Sequence, residues 1–587
     1  MMLYPHPQML NEQTGSYAVK GNYENLSLLD FYKKVKEGNE DVTVTLSAVL
    51  KKEEYLLSVK PEGITITAAG DEGIYRAATT LQQLICGEEA VSCVEIHDWP
   101  QFDNRGYMYM NANCNRPTKE TVKQIVDFLS GLKYNQLQLY MEHDAFTYAA
   151  YPKYTADFAC FTPEDIRELD AYCKERFVDL VPNQNSFGHM YGWLKKDEFF
   201  HLGLHAEGKY GGTINPLLDE SYEMVSNLYE SLLPHFESEY VNIGFDEAYG
   251  LGKFQSEEYC NKYGKDTLYM EWLNKLSSLI DEKYGKKVMF WADMFYKYDR
   301  LYSQTPKGAI ALEWGYELIQ SQVMTDHCIT FQNAGLDYYV CPSINTHMSF
   351  TGRFDVTSFN IRTTAEIGAK YGAKGYLLTD WGGESFPVWG IVPAALAGQY
   401  AWNVGVEQDG ETFKAEYIRD AEKFIDQTIF GGAKVSNLLY RIANYYLLEP
   451  ERVHVGSICG EMFRMPLEQT KYAYFYDLKD ISDDFYFDNV IDYVKRVLEQ
   501  IKAQDFNEQL KRDIIANSES VILAAELCKL KTAASVSNEK IDELIAMLDK
   551  QIAEYTELWG NYNFPKGVEL VLENFNDRRA DLLALKA

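Results

Sequence analysis

Residues 106–141 read GYMYMNANCNRPTKETVKQIVDFLSGLKYNQLQLYM and contain two apolar stretches on either side of a helical segment. The first stretch is Gly106–Met110 and the second is Gln136–Met141. Parallel strands require a crossover connection, which is usually a helix. The segment therefore predicts a strand–helix–strand unit of an α/β fold.

The same pattern continues along the chain. Thr162, Pro163, Glu164 and Asp165 predict a helix start, because Thr caps, Pro fits the first turn and acids favour the positive end of the helix dipole. Eight strands alternating with helices predict a closed (β/α)8 TIM barrel over residues 99–405, with a doubly wound open sheet as the alternative. The candidate strands are Gly106–Met110, Gln136–Met141, Val178–Val181, Tyr240–Gly244, Val288–Trp291, Ala309–Glu313, Asp337–Cys341 and Gly375–Thr379.

Two further regions flank this barrel. Residues 1–98 combine strand-like runs around a Lys60–Gly63 turn with one amphipathic helix, which predicts a supporting α+β domain. After residue 405 the strand patterns fade, and apolar stripes recur at helical spacing. Residues 406–587 therefore form a predicted C-terminal helical domain.

Composition narrows the class of function. The chain has 587 residues and a formal charge of −31, which argues against nucleic acid or an anionic membrane as the main partner. The ten cysteines form no CxxC pair, and the first residues, MMLYPHPQML, show no secretory signal, so we expect a cytoplasmic protein with reduced thiols. Aromatic residues make up 14% of the chain, which suits sugar binding but also suits a Tyr-rich core.

Polar and aromatic side chains follow most of the candidate strands. Because catalytic groups of a barrel lie at the C-terminal ends of its strands, we expect these side chains to line one mouth. Carboxylates with tryptophans favour a carbohydrate ligand there. The candidates in chain order are Glu142, His189, Asp246, Glu247, Trp291, Asp293, Trp314, Tyr316, Asp380 and Trp381.

Asp246 and Glu247 are adjacent in the segment VNIGFDEAYG. Neighbouring strand residues point to opposite faces, so both can reach one site only where the strand ends, and Gly244 provides that freedom. Two crowded carboxylates do not ionise together easily, so we expect one to stay protonated and to act as a general acid. The alternative is a pair of strand-end charges that only meet solvent.

A metal site is the weaker interpretation of this mouth. Glu142, His143 and Asp144 are suitable ligand types, but the chain has 10 histidines and they are dispersed. We therefore predict neither a metal nor a cofactor.

The segments RGYMYM, VPNQNSFGHM, VNIGFDEAYGLG, MFWADM, WGYE and TDWG, in this order and spacing, resemble glycoside hydrolase family 20, the β-N-acetylhexosaminidases. The likeness is to a bacterial, intracellular-type branch with three domains. It implies a zincin-like N-terminal domain, without a zinc ligand motif here, followed by the barrel.

The resemblance also implies roles for individual residues. Glu247 would be the general acid and then the base, and Asp246 would hold the 2-acetamido group of the substrate, whose oxygen attacks its own anomeric carbon. Trp291, Trp314 and Trp381 would surround the acetamido group and the sugar ring. His189 would tune the proton of the acid, or would be an ordinary buried histidine.

The chain departs from the family pattern at three positions. Asn113 stands where the branch usually has an arginine that holds sugar hydroxyls, and His347 stands where a tryptophan is usual. Gly383 replaces an acid, with Glu384 one residue later. These changes leave the chemistry in place and put the substrate in question.

Three functions follow. The first is a retaining exo-β-N-acetylhexosaminidase that removes terminal GlcNAc or GalNAc. The second is a glycosidase of the same fold that acts on a substituted sugar or releases a disaccharide. The third is a catalytically faded glycan-binding protein. The expected partner is a carbohydrate, and a homodimer is among the oligomeric states left open.

Overall fold

The computed structural model describes residues 3–155, 160–405, 416–472, 476–480 and 485–586. Its first unit is a five-stranded sheet with strand order β1-β5-β3-β4-β2, in which only β2 and β4 run parallel. Two helices cover this sheet. The elements are β1 (Met9–Ala18), α1 (Leu28–Lys36), β2 (Val42–Leu46), β3 (Tyr55–Lys60), β4 (Gly63–Ala68), α2 (Asp71–Ile85) and β5 (Ala90–Asp98).

The second unit is a closed barrel of eight parallel strands, in which each strand pairs with the next and β13 pairs with β6. The predicted α/β class and TIM barrel are confirmed, and the doubly wound sheet is excluded. The strands are β6 (Asn104–Asn111), β7 (Gln136–Met141), β8 (Asp179–Gln184), β9 (Tyr240–Asn242), β10 (Lys287–Trp291), β11 (Ile310–Trp314), β12 (Asp337–Cys341) and β13 (Gly375–Asp380).

Helices surround the barrel and connect its strands. Helix α4 starts as the sequence predicts: the Thr162 hydroxyl accepts from the Asp165 N–H at 3.2 Å, and the Asp165 carboxylate accepts from the Thr162 N–H at 3.1 Å. The helices are α3 (Lys119–Gly131), α4 (Pro163–Lys174), α5 (Tyr191–Leu194), α6 (Asp219–Leu232), α7 (Glu257–Tyr263), α8 (Lys265–Tyr284), α9 (Gln320–Ala334), α10 (Phe354–Tyr371) and α11 (Ile391–Trp402).

Over its described residues, the C-terminal part is helical except for the short strands β14 (Lys471–Tyr472) and β15 (Tyr476–Asp477), which confirms the predicted class of this region. The limits at 98/99 and 405/406 stay predictions, and residues 406–415 lie outside the described residues. The helices are α12 (Glu416–Thr428), α13 (Ser436–Ala443), α14 (Ile458–Arg464), α15 (Phe485–Lys502), α16 (Glu508–Thr532), α17 (Asn538–Trp559) and α18 (Pro565–Lys586).

The barrel interior alternates apolar and polar layers. Met108, Met289 and Leu377 belong to its apolar cluster. Below the mouth, Gln138 Oε1 accepts hydrogen bonds from the Asn183 amide at 3.1 Å and from the Asn242 amide at 2.9 Å. Because buried amides are costly without partners, this network fixes the facing strands in register.

Asn517 of α16 attaches the helical part to the last barrel loop. Its Oδ1 accepts from the Phe386 N–H at 2.9 Å and from the Trp389 indole at 2.8 Å. Its Nδ2 donates to the Glu384 carbonyl at 2.7 Å and to the Tyr555 hydroxyl at 2.6 Å. All polar atoms of this buried amide are therefore paired across the interface.

Candidate active site

Asp246 and Glu247 lie in the loop that follows β9. The strand ends at Asn242, and Gly244, Phe245 and Glu247 have φ values of 74°, 86° and 48°. A Cβ on Gly244 would lie 2.4 Å from Oδ1 of Asn185, so glycine is also required there for space. This irregular backbone turns both carboxylates toward the same imidazole.

That imidazole belongs to His189, which follows β8. Its Nε2 lies 3.3 Å from Oδ2 of Asp246 and 3.4 Å from Oε2 of Glu247. On the other side of the ring, Nδ1 lies 3.6 Å from Oε1 of Glu142. His189 therefore lies between three carboxylates, one from the loop after β7 and two from the loop after β9.

The three acids determine the charge of His189. Burial alone would lower its pKa, but Asp246, Glu247 and Glu142 together raise the pKa of His189 to about 11. The group is thus an imidazolium at neutral pH. The close packing of the two loops depends on Gly188, where a Cβ would lie 2.0 Å from the Asp246 carbonyl oxygen.

The protonation of Glu247 differs from the sequence expectation. His189 holds the pKa of Glu247 below its ordinary value; burial opposes this effect, and a hydrogen bond from Tyr249 reinforces it. The expectation that crowding keeps one member of the pair protonated is therefore wrong for Glu247. Sequence adjacency shows the two acids, but it does not show a cation that comes from another strand.

Two further acids support this centre. Oε1 of Glu142 accepts from the Tyr140 hydroxyl at 2.7 Å, and burial raises the pKa of Glu142. Oδ2 of Asp293 accepts from the Glu247 N–H at 3.1 Å, which secures the loop. Burial, followed by the charge of Asp246, raises the pKa of Asp293 to about 7.

Aromatic side chains form one wall of the mouth. The rings of Trp291 and Trp381 lie 5.9 Å apart, and the Trp381 indole donates to the Tyr316 hydroxyl at 2.9 Å. Trp314 stacks on Tyr316 with ring centroids 5.1 Å apart. The structure thus groups the four predicted aromatic residues, and Trp291 forms the fully buried floor.

His347 lies beside this wall, with its ring 6.1 Å from that of Tyr316. Burial, followed by the charges of Arg353 and Arg464, lowers the pKa of His347 to about 3. It is therefore neutral at physiological pH, unlike His189.

Asp380 is not brought into the mouth. Its carboxylate accepts from the Tyr107 hydroxyl at 2.8 Å and lines a cavity of about 270 Å³ between the barrel and the helical part. Alternation along β13 turns Asp380 outward, whereas Trp381 packs against the barrel interior. The expectation that every strand-end acid faces the mouth is corrected at this position.

Asn113 lies at the rim, exposed, with a left-handed φ of 51°. Its carbonyl accepts from Nε of Arg116 at 3.1 Å, and Arg116 Nη2 pairs with Asp144 at 2.6 Å. Among the described residues, the Asn113 side chain makes no hydrogen bond with the other predicted site residues. Arg116 is buried and committed to Asp144, so it does not replace the arginine of the family pattern.

Gly383 and Glu384 also differ from the family pattern. The Glu384 carboxylate points into the helical part, where it pairs with Arg464 and accepts from the Asn574 amide at 3.0 Å. Burial opposes ionisation, but Arg464 keeps the pKa of Glu384 below its ordinary value. This acid therefore stabilises the domain interface.

Sequence reasoning missed the exposed tyrosines near the pair. Tyr249, two residues after Glu247, and Tyr191, two residues after His189, are 68% and 47% exposed. Their spacing from the predicted site residues is the one signal in the sequence that points to them.

The described ranges contain neither a cluster of metal ligands nor a helix that could span a membrane. There, no group of three His, Cys, Asp or Glu side chains converges as a metal ion requires. No helix in those ranges has the length and apolar character needed to cross a bilayer.

The chain is similar in sequence to curated β-hexosaminidases and in fold to a solved chitobiase. It is 24% identical over 319 residues to β-hexosaminidase A of Caenorhabditis briggsae, covering 47% of this chain and 57% of the relative. It is 27% identical over 214 residues to the β-hexosaminidase β subunit of Felis catus, covering 34% and 40%. The chain thus spans about half the length of these curated relatives.

A solved structure, the chitobiase of Flavobacterium johnsoniae, shares the fold with a TM-score of 0.60 at 17% identity, covering 97% of this chain and 99% of that one. Two family models also match: residues 102–357 match the catalytic domain of glycosyl hydrolase family 20, and residues 10–99 match domain 2 of the same family. Because these matches together span more than half of the chain, the protein belongs to glycosyl hydrolase family 20.

Proposed function

We propose that the protein is a retaining exo-β-N-acetylhexosaminidase that removes terminal β-linked GlcNAc or GalNAc by substrate-assisted hydrolysis. The observation that carries this proposal is the position of Asp246 and Glu247, both within 3.4 Å of one His189 nitrogen beside an aromatic wall. The names of the relatives, β-hexosaminidase and chitobiase, agree with this activity.

Asp246 would orient the nucleophile of the substrate. Its Oδ2 faces His189, while its buried Oδ1 has no hydrogen-bond partner among the described residues. An unpaired carboxylate oxygen is costly to bury, so it is suited to accept the N–H of a 2-acetamido group. The acetamido oxygen would then attack the anomeric carbon and form an oxazolinium ring as the glycosidic bond breaks.

Glu247 would act at that bond. When its carboxyl group is protonated, it donates the proton to the leaving oxygen; as a carboxylate, it then takes a proton from the water that opens the ring. His189 lowers the pKa of Glu247 and so favours its ionised form. A sugar that enters the mouth excludes water around Glu247, and this desolvation favours the protonated form needed for the first step.

The aromatic wall would bind the sugar itself. The partly exposed Trp381 ring would contact the acetamido methyl group or the apolar face of the sugar, and the buried Trp291 ring would support Trp381 from behind, at an interplanar angle of 46°. Asp293 would contribute indirectly, since it binds the Glu247 N–H and holds the acid in its loop.

A panel of aryl β-glycosides tests this function. We expect hydrolysis of the GlcNAc and GalNAc substrates, retention of the anomeric configuration in the first product, and no comparable hydrolysis of the glucoside. Glu247→Gln should bind sugar but lower kcat by about 10² to 10⁴. If no 2-acetamido glycoside is cleaved, or if Glu247→Gln keeps full activity, the proposal is wrong.

A second candidate is the same chemistry on a substituted sugar or with release of a disaccharide. The exposed Asn113 and the withdrawal of Glu384 into the helical interface favour it, since both leave fewer side chains to hold sugar hydroxyls. Digestion of a glycan panel with analysis of the released sugars separates the two candidates. The homodimer and the cytoplasmic location stay predictions.

A further inference from the structure

The cavity of about 270 Å³ between the barrel and the helical part lies away from the mouth, on the outer side of the barrel wall. Its lining is largely apolar and includes Ile125 and Phe128 of α3, Ile391 and Ala394 of α11, and Leu510 of α16. Ile125, Phe128 and Ile391 are only half-buried, so the cavity opens to solvent at this end. At about 30 Å³ per water molecule, the volume corresponds to about nine waters, which is enough for a small organic molecule.

The inner end of the cavity is polar. Asp380 of β13 lies opposite Tyr109 of β6 in the strand register. Residues two apart on a strand share a face, so Tyr107 and Tyr109 both point outward from the barrel, and the Tyr107 hydroxyl donates to Oδ2 of Asp380 at 2.8 Å. A Cβ on Gly390 would lie 3.8 Å from the same oxygen, so this glycine leaves open the space beside the acid.

Two groups at this polar end lack the partner that their burial requires. The Tyr109 side chain is 5% exposed, and its hydroxyl makes no hydrogen bond with any residue that the structure describes. Asp380 also accepts from the Gly382 N–H at 2.9 Å and from the Thr346 hydroxyl at 3.4 Å. Burial nevertheless raises the pKa of Asp380 to about 6, because no cation in the described part of the chain pairs with it. Buried carboxylates are normally paired with a positive charge, so a cation is the missing partner here.

We propose that this cavity binds a small primary amine with an apolar body. The ammonium group would donate hydrogen bonds to the Asp380 carboxylate and to the unpaired Tyr109 hydroxyl, while the apolar body would pack between α3 and α11. A charge-assisted hydrogen bond is about twice as strong as a neutral one, so the amine should be preferred over an alcohol of the same shape. The cavity lies outside the barrel mouth, so this proposal does not depend on the hexosaminidase function.

The test compares three ligands of nearly equal shape by isothermal titration calorimetry: phenethylamine, phenethyl alcohol and phenylacetate. The wild type should bind one phenethylamine with a Kd about tenfold or more below that of the alcohol, and it should not bind phenylacetate. Asp380→Asn keeps the shape of the side chain and removes its charge. It should weaken binding of the amine about tenfold to a hundredfold and change the Kd of the alcohol less than about threefold.

A second variant tests the apolar end and does not depend on the folding of Asp380→Asn. Ile125→Trp fills the open end of the cavity and should weaken binding of the amine and of the alcohol about tenfold or more. Ile552→Trp is the matched control, because Ile552 of α17 is also half-buried but does not line the cavity. Its Kd for both ligands should equal that of the wild type.

The mouth also combines acids with aromatic rings, so the location of the bound amine is tested separately. Glu247→Gln removes an acid from the mouth and should leave the Kd of phenethylamine within about twofold of the wild-type value. Loss of amine binding in Glu247→Gln together with its retention in Asp380→Asn would place the amine in the mouth and refute the proposal. Absence of amine binding by the wild type, or equal Kd values for the amine and the alcohol, would also refute it. Activity on aryl β-glycosides is measured independently and decides only the hexosaminidase function.

Discussion

His189→Asn removes the only side chain that contacts both members of the candidate catalytic pair within 3.4 Å among the described residues. Asparagine suits the position, because His189 has a φ of 54° and Asn adopts left-handed backbone more readily than most residues. The substitution thus deletes the positive charge and preserves the loop conformation.

The size of the effect follows from the distance between the charges. At 3.4 Å, an imidazolium and a carboxylate attract by about 5 kcal/mol at an effective dielectric constant of 20 and by about 1 kcal/mol in bulk water. Glu247 is about one third exposed, so its interaction lies between these limits. Loss of the cation should therefore raise the pKa of Glu247 by about one to three units.

The pH dependence of kcat/KM for an aryl β-GlcNAc measures this change. The cation lowers the pKa of the acid, so its removal lets Glu247 keep its proton to higher pH. The alkaline limb should therefore move upward by about one to three pH units, with a lower maximum rate. The control Glu142→Gln removes a carboxylate from the far side of the ring and should move the limb slightly downward.

An alkaline limb that stays in place or moves to lower pH in folded His189→Asn would refute this electrostatic reasoning. Thermal unfolding monitored by circular dichroism verifies that the variant is folded. If the alkaline limb of Glu142→Gln coincides with that of the wild type, the three acids do not act through one imidazolium.

Three other changes test separate parts of the structure. Asp246→Asn should lower kcat/KM for 2-acetamido substrates by about 10² to 10³, because a group that stabilises developing charge is lost. It should also reduce the preference for these substrates over the matching glucoside, and an unchanged preference would contradict the assigned role. Asn517→Ala should destabilise the protein by about 2 to 4 kcal/mol, because it leaves the Phe386 N–H and the Trp389 indole N–H buried and unpaired, while the Tyr555 hydroxyl still donates to the Glu384 carbonyl. Asn561→Ala, at an exposed site, should not, and equal melting temperatures for the two variants would argue against this account. The Glu449 carboxylate caps α14 by accepting hydrogen bonds from two backbone N–H groups. Burial raises the pKa of Glu449 to about 7, above the unfolded value of about 4.3. The stability that Glu449 contributes is therefore complete below about pH 4 and is lost as the pH rises through about 7. Glu449→Gln should lack that loss, and parallel unfolding curves of both proteins from pH 4 to 8 would contradict it.

Sequence periodicity predicted the barrel strands because parallel strands buried on both faces read as short apolar runs. Gln136–Met141 and Asp337–Cys341 have the predicted bounds. The third strand was shifted: Val178–Val181 was predicted, whereas β8 spans Asp179–Gln184. Its polar end is stabilised inside the barrel through the bond between Asn183 and Gln138, a partner on another strand that local patterns do not show.

The sequence predicts those residues of the candidate site that directly follow a barrel strand. Adjacent acids and the tryptophans are visible in the sequence, and β13 alternation could have shown that Asp380 faces outward. The ionisation of Glu247 was not predictable, since it depends on His189 from a separate strand.

The attachment of the last barrel loop through Asn517 and Glu384 has an evolutionary consequence. A change of sugar preference on that side of the molecule requires matched substitutions more than a hundred positions apart, because the loop shares its hydrogen bonds with α16 and α17. Recombination that exchanges the barrel alone would break this pairing. The helical region is therefore expected to be inherited together with the barrel as one unit of specificity.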